Sequence, residues 1–375
     1  QQVVNRPYQE TSSRVSGSEI ISSNSKTSYN GNYGLNASWT LYNGNKRLKT
    51  IQQEKLNNQV AELDVATSEN NIQESIAQVY IQILYAAESV KVNESTLQVS
   101  IAQRDRGQEL LNAGSIAKSD FAQLEAQVST DRYQLVTAQA TLEDYKLQLK
   151  QLLELDGENE MNIYLPALSD ENVLAPLPTK KDVYIRALSL RPEIEASKLN
   201  VEASELGIGI AKSSYLPTIS LSAGIGTNHT SGSDFTFGEQ VKNGWNNSIG
   251  LSVSVPIFNN RQTKSAVQKA KLQYETSMLS LLDEQKTLYK TIEGLWLDAN
   301  SAQQRYAAAN EKLKSTQISY ELISEQFNLG MKNTIELLTE KNNLLQAQQE
   351  QLQAKYMAIL NMQLLKFYQG DQLAI

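Results

Sequence analysis

Few residues in this 375-residue chain are equipped for covalent chemistry. There is no cysteine, which removes thiolate nucleophiles, thiolate metal sites and disulfides. The one histidine, His229, is too few for a histidine metal centre and has no Ser-His-Asp setting. Carboxylates are plentiful, and Asp283-Glu284 and Glu143-Asp144 stand as adjacent pairs. General acid–base work needs carboxyl groups held in contrasting environments, whereas these lie on helical stretches with no metal-ligand spacing and read as a solvated face. No glycine-rich loop precedes a helix in the form that cradles phosphate. The formal charge is −7 with no basic run, which argues against nucleic acid as a partner. No catalytic residue, metal or cofactor is implied, and the chain reads as a non-enzyme.

The elements are more informative. All seven prolines fall at Pro7, Pro166, Pro176, Pro178, Pro192, Pro217 and Pro256, leaving two long proline-free stretches rich in Gln, Leu, Ala, Lys and Glu. A proline inside a helix costs roughly 3 kcal/mol, so these stretches permit very long helices. Their apolar residues recur in steps of three and four: Ile72, Ile76, Val79, Ile83, Ala86, Val90, Leu97, and then Leu288, Ile292, Leu295, Ala299, Ala302, Tyr306, Ala309, Leu313. That is the seam of helices that pack on other helices. No apolar run approaches the ~20 residues of a membrane-spanning helix. Elsewhere the period is two, over Tyr29–Leu41, Ile219–Ile225 and Ile249–Ile257, and the polar face is almost uncharged Ser, Asn, Thr and Gly. Such strands suit lipid on one side and water on the other, or a sheet half-covered by a soluble core.

The chain is a duplication at an offset of 216 residues. Leu41-Tyr42-Asn43 falls on Ile257-Phe258-Asn259, Lys55-Leu56 on Lys271-Leu272, and Leu111-Asn112-Ala113-Gly114 on Phe327-Asn328-Leu329-Gly330. Each unit reads strand, long helix (Asn43–Asn112, Asn259–Asn328), turn and shorter helix (Ser119–Leu155, Thr334–Tyr368). Gly114 and Gly330 sit where a C-cap glycine belongs, and Ser119 or Asn333 can begin the next helix. Lys181–Tyr215 is a further helical segment, with Pro192 suited to a first helical turn and Pro217 closing it, and Asp156–Thr179 is a non-helical belt or linker. Subtracting 216 puts the counterpart of Lys181–Tyr215 before Gln1 and that of Ile219–Ile225 at Val3–Gln9, where alternation is poor, so an upstream helix and most of a strand are expected in the native chain.

In this order and spacing the sequence resembles the TolC-like outer-membrane efflux proteins. The matching motifs are the corners Leu41-Tyr42-Asn43-Gly44, Val255-Pro256-Ile257-Phe258-Asn259 and Tyr215-Leu216-Pro217, with Leu190-Arg191-Pro192-Glu193 and the tip turns Asn112–Asp120 and Asn328–Glu336. The resemblance implies a mostly α fold with β: a homotrimer whose 12-stranded outer-membrane β-barrel continues into a 12-helix periplasmic α-barrel. Residues 1–42 would be first-repeat barrel strands and an extracellular loop, with an incomplete start. Residues 43–155 would be the first helical hairpin with its tip at 113–118, 156–180 an equatorial linker and 181–216 an upper helix. Residues 217–258 would be the second barrel strands and loop, 259–369 the second hairpin with its tip at 329–333, and 370–375 the tail.

The resemblance also implies a role: the passive exit duct of a tripartite efflux or secretion system in the outer membrane of a Gram-negative bacterium, partnered by a periplasmic adaptor and an inner-membrane transporter. A soluble coiled-coil scaffold is the alternative, against which the uncharged strand faces weigh. Trp39, Tyr42, Trp245 and Phe258 lie near strand ends, as membrane-interface girdles do, or as ordinary strand aromatics. The loops Tyr8–Ser28 and Thr227–Gly244, the second carrying a solvated His229, would face outside. By resemblance, Gly114, Ser115, Ala117, Gly330, Met331 and Asn333 are candidates for adaptor contact, though small residues here also serve the helix reversal. The family's two constriction acids correspond to Glu336 and Thr339, so one acidic ring is absent. The alternative for Glu336 is an exposed first-turn acid favoured by the helix dipole. Ser119, Asp120 and Lys332 match the family's tip-closing links, whereas Phe327 replaces a tyrosine donor and so loses one link.

Overall fold

The computed structural model describes residues 13–16, 19–22, 30–155, 163–164, 173–231 and 234–373. The chain order is β1 (Ser13–Ser16), β2 (Glu19–Ser22), β3 (Asn30–Asn43), α1 (Lys46–Asn112), α2 (Lys118–Leu152), α3 (Lys180–Leu190), α4 (Pro192–Ser213), β4 (Thr218–Thr230), α5 (Phe237–Asn243), β5 (Asn246–Ser254), α6 (Gln262–Asn328) and α7 (Thr334–Tyr368). The duplication is carried by the helices to the residue. α1 and α6 are both 67 residues, α2 and α7 both 35, and every boundary shifts by the same 216 positions (46 to 262, 112 to 328, 118 to 334, 152 to 368). At about 1.5 Å per residue the long helices reach roughly 100 Å.

One unit comprises residues 1–57 and 200–278. Its core element is a three-stranded antiparallel sheet in the order β3-β4-β5, while β1 and β2 pair as a separate hairpin. The cross-strand rows segregate by chemistry. Leu35 pairs with Ile225, and the rows that follow across β3, β4 and β5 are Ala37-Ala223-Ile249, Trp39-Leu221-Leu251 and Tyr42-Ile219-Val253. The alternate rows hold Asn36, Gly224 and Ser248; Ser38, Ser222 and Gly250; Thr40, Ser220 and Ser252. A bulge between Thr40 and Tyr42 adds Leu41 to β3, which moves the apolar face from odd to even positions and brings Tyr42 onto it. Gly44, at φ +67°, turns the chain from β3 into α1; a Cβ there would lie 2.7 Å from the Ser213 carbonyl oxygen. The repeat uses the same two-residue left-handed corner, Gly44-Asn45 and Asn260-Arg261.

The other unit, residues 58–199 and 279–375, is helical. Of the expected seams, Ile83, Ala86 and Leu97 in α1 and Leu288, Ile292, Ala299, Ala302, Tyr306 and Ala309 in α6 are buried, while Ile72 is 49% exposed. α7 packs hardest: Ala354, Ala358, Leu360 and Leu364 join Ile81, Leu84 and Tyr306, and Leu365 and Tyr368 join Val183, Ala187 and Ile194. Residues 173–178 of the belt lie on α6: Gln303 Nε2 donates to the carbonyls of Val173 (2.9 Å) and Ala175 (2.8 Å), and Trp296 Nε1 to that of Pro178 (2.9 Å).

Five local readings differ from the structure. Tyr8–Ser28, read as a loop, holds the paired strands β1 and β2. Lys181–Tyr215 is two helices, because Pro192 forces Arg191 into extended backbone (ψ 125°) and α4 restarts at the proline. β5 ends at Ser254 rather than Ile257, since Pro256 has no N–H for the ladder, so Phe258 lies beyond the strand. In the segment read as the loop 227–244, β4 continues to Thr230 and α5 forms on a Thr236/Glu239 capping box. His229 is half-buried, its ring 5.1 Å from that of Phe237. Val3–Gln9, onto which the duplication maps Ile219–Ile225, most of the linker over 156–172 and the last two tail residues lie outside the described residues.

Candidate functional site

Both tip turns are built by one device. Gly114 (φ +73°) and Gly330 (φ +71°) end α1 and α6 in the left-handed region. The N–H of Gly114 bonds the Leu111 carbonyl (2.9 Å) and that of Ser115 the Leu110 carbonyl (2.8 Å); Gly330 and Met331 repeat this on Phe327 (2.9 Å) and Gln326 (2.9 Å). These paired bonds satisfy carbonyls that the helix end would leave open. No atom lies within 4 Å of a Cβ built on either glycine, so the turns are bare. Gly114, Ser115, Ala117, Met331 and Asn333 are exposed as well. Leu329 and Ile335, 73% and 63% exposed, extend the apolar surface around Met331 and were not singled out from the sequence.

The helices leaving the turns start at equivalent positions. Asn333 caps α7: its Oδ1 accepts the Glu336 N–H (2.9 Å), and Glu336 Oε2 accepts the Asn333 N–H (3.2 Å). At the repeat position the first helix is preceded by Ala117, not Ser119. Alanine has no side-chain acceptor, so only Asp120 acts, its Oδ2 accepting the Ala117 N–H at 3.2 Å. The common turn fixes the number of residues between the helices, which overrides the preference for serine as a cap. Asp120 and Glu336 are therefore equivalent, each in a first helical turn.

Lys332 and Glu336 come together, Nζ to Oε1 at 2.6 Å, in the same turn. The Lys332 hydrogen bond, then that from the Asn333 N–H, holds the Glu336 carboxyl below the ordinary carboxylate range. Thr339 is exposed, its hydroxyl donating to the Ile335 carbonyl (2.8 Å), and it lines a shallow groove between α2 and α7. Ser119 is exposed. Among the described residues no hydrogen bond or ion pair joins the two tip turns within one chain. Phe327 is 2% exposed and packs with Leu124 and Leu337, so its ring serves the apolar cluster that ties α2, α6 and α7 above the turns.

On the sheet, Leu35, Trp39, Ile249, Leu251 and Val253 are 59–85% exposed although they share one face. Leu35 to Tyr42 covers roughly 20 Å at ~3.3 Å per residue, near the ~25 Å apolar band of outer-membrane barrels. Tyr42 stands at the end where the strands meet the helices, Trp39 just inside it, and Trp245 immediately before β5 at the opposite end. Phe258 is 84% exposed in the connection to α6.

A cluster that sequence reading missed lies above the tip. Lys341 of α7, Asp131 of α2 and Ser100 of α1 are mutually hydrogen-bonded, with side chains only 2–3% exposed. The signal was available: Ser100, Asp131 and Lys341 each follow a buried leucine or valine (Leu97, Val128, Leu337) by three or four residues, at seam positions where an apolar residue is the rule.

Known proteins bear on this architecture. The family model described as outer membrane efflux protein matches residues 7–154 and 183–370. The outer membrane efflux protein BepC of Brucella suis is 24% identical over 290 residues, 77% of this chain and 60% of BepC. The outer membrane protein TolC of Escherichia coli is 23% identical over 311 residues, 80% of this chain and 62% of TolC. The chain thus spans about three fifths of the length of these curated relatives. Among solved structures, CusC superposes with a TM-score of 0.79 at 20% identity, covering 97% of this chain and 82% of CusC. VceC of Vibrio cholerae superposes with a TM-score of 0.74 at 16% identity, covering 97% and 86%. These superpositions carry the fold, and the family match spans both repeats: the chain belongs to the outer membrane efflux protein family.

Proposed function

We propose that this chain is one protomer of a homotrimeric channel in the outer membrane of a Gram-negative bacterium, the passive exit duct of a tripartite efflux or secretion system. The β3-β4-β5 sheet carries this reading. One face is apolar and exposed, the other is uncharged and polar, and the outer edges of β3 and β5 have no strand partner among the described residues. Those faces suit lipid and water, and open edges do not survive in lipid, so the sheet closes with copies of itself. With the fourth strand that the duplication implies, each chain supplies four strands and three chains a 12-stranded barrel under cyclic symmetry. The four hairpin helices per chain, α1, α2, α6 and α7, likewise supply a 12-helix tunnel. In this reading residues 1–42 and 217–258 form the barrel, 43–155 and 259–369 the hairpins, 181–216 the upper helix, 156–180 the belt around them and 370–375 the tail.

The exposed tip turns present Gly114, Ser115, Ala117, Gly330, Met331 and Asn333 to a periplasmic adaptor that joins the duct to an inner-membrane transporter. Three Glu336 carboxylates, with Thr339 beside them, form the constriction, and like charges held close draw cations into its mouth. Ser119, Asp120 and Lys332 serve closure between neighbouring turns. The relatives' names support export: the Pseudomonas aeruginosa AprF is called an alkaline protease secretion protein.

The test is reconstitution of the detergent-solubilised protein into planar bilayers. An SDS-sensitive trimer with a cation-selective conductance is expected, and Glu336→Gln lowers that selectivity or relieves multivalent-cation block at unchanged trimer yield. A monomer without conductance sinks the duct reading, and an unaltered Glu336→Gln channel removes Glu336 from the constriction.

A further inference from the structure

The buried cluster on α1, α2 and α7 is not explained by stability. Lys341 Nζ bonds both Asp131 Oδ2 and Ser100 Oγ, and Ser100 Oγ itself bonds Asp131 Oδ2. The second Asp131 oxygen accepts from Gln127 Nε2 at 2.9 Å, and the same amide nitrogen lies 3.5 Å from Asn342 Oδ1. Above and below are apolar residues, Leu337 and Leu344 on α7 and Leu124 and Val128 on α2, all buried. Well-packed apolar side chains would serve such a layer at least as well, because burying an ion pair costs desolvation that its attraction barely offsets. Burial pulls the Lys341 ammonium below its ordinary range, and Asp131 only partly restores it.

The pair does supply register. A seam of leucines repeats itself every seven residues, so a helix that slides by a turn or a heptad finds similar packing. A slide of one turn, about 5.4 Å, would strand Lys341 and Asp131 in apolar surroundings without partners. One alignment of α7 against α1 and α2 therefore satisfies the charges.

We infer that Lys341, Asp131 and Ser100 form a register lock that sets the axial position of α7 and thereby the height of Glu336. Lys341 is a positioning residue here. It lies five residues from Glu336, about 140° around the helix, and about 160° from Thr339 at 100° per residue. The lock therefore clamps one side of α7 while Glu336 and Thr339 occupy the other. The consequence for the constriction rests on the channel reading; the lock itself does not.

The test keeps the two apart. The chain has no cysteine, so an engineered pair reports cleanly. In otherwise native protein, Gln127→Cys with Asn342→Cys should be bridged by a short bis-thiol crosslinker, and Gln127→Cys with Gln346→Cys, one turn further along α7, should be bridged far less. In a Lys341→Met/Asp131→Leu background, which refills the layer with apolar side chains, the first yield should fall at least threefold and the second rise. Yields unchanged by the double substitution overturn the lock. Lys341→Met alone strands Asp131 and is expected to lower trimer yield, which the double variant restores.

The consequence is read in bilayers: the double variant should need at least tenfold more multivalent cation for half-block, at wild-type trimer yield. Wild-type block in the double variant, with block weakened in Glu336→Gln, overturns the link to Glu336 and leaves the channel reading standing.

Discussion

Replacing Arg191 by methionine tests how the upper helices are tied to the bundle. The guanidinium is 7% exposed at the joint between α3 and α4, with Nε 2.8 Å from Glu193 Oε1 and Nη2 3.3 Å from Glu74 Oε1. Its carbon lies 4.2 Å from the centre of the Tyr368 ring and 5.6 Å from that of Phe367. Removing one partner of a buried ion pair costs ~3–5 kcal/mol, chiefly because the remaining charge is left without compensation. The Glu74 and Glu193 side chains keep 19% and 20% of their exposure, so the lower end applies, about 3 kcal/mol. For a large domain that lowers the melting temperature by roughly 6–12 °C.

The pH dependence has a definite sign. Burial raises the Glu74 carboxyl above its ordinary range, and the charge of Arg191 is the largest force lowering it. Without Arg191 it rises further. A carboxyl whose folded pKa exceeds its unfolded value contributes stability that is complete below the unfolded pKa and lost as pH rises through the folded one. The Arg191→Met deficit should therefore be largest near pH ~8 and shrink as pH falls into the ordinary carboxylate range, where Glu74 takes up its proton. The Tyr368 hydroxyl, pushed up to about 12 by burial and then by the Glu74 charge, stays protonated throughout. The assay is thermal unfolding of the purified protein in detergent at one scan rate and two pH values. A deficit under about 1 kcal/mol, or one equal at both pH values, refutes the reasoning.

The sheet faces predict an asymmetry: Leu251→Lys, on the apolar row with Trp39 and Leu221, should cost ~2–4 kcal/mol and reduce membrane assembly, while Ser222→Lys on the opposite face is tolerated. Equal assembly yields for the two variants would show that no lipid covers the apolar face. Gly330→Trp places a large ring on a bare turn and should abolish adaptor co-purification while trimer yield holds; undiminished export by this variant counts against docking at the tip. Because Lys332 holds the Glu336 carboxyl low, cation preference should persist on acidification below the ordinary carboxylate range and be lost as pH falls through the depressed value. Lys332→Met should move that loss to higher pH, and coincident titration curves for the two proteins would exclude the pair.

Much of the architecture was legible because it rests on local rules. Proline-free stretches, three-four spacing and the glycines of the tips specify the helices, and α7 begins and ends where Thr334 and Tyr368 were expected. Period two located the strands but not their bounds: a bulge at Leu41 and a proline at 256 shift register and end, and those choices belong to strand pairing. The pairing of Lys332 with Glu336 could be read as a one-turn spacing on the chain, whereas the burial of Phe327 depended on which helices meet it.

The duplication and the two kinds of period were determined by the sequence alone, because each is a property of spacing along one chain. Only the tertiary structure decided that Ser100, Asp131 and Lys341 meet, since they stand 31 and 210 residues apart and each alone looks like an ordinary polar interruption of a seam. Their meeting follows from three helices packing at one level, and there the cost of stranding a buried charge selects one register from several that the leucines allow.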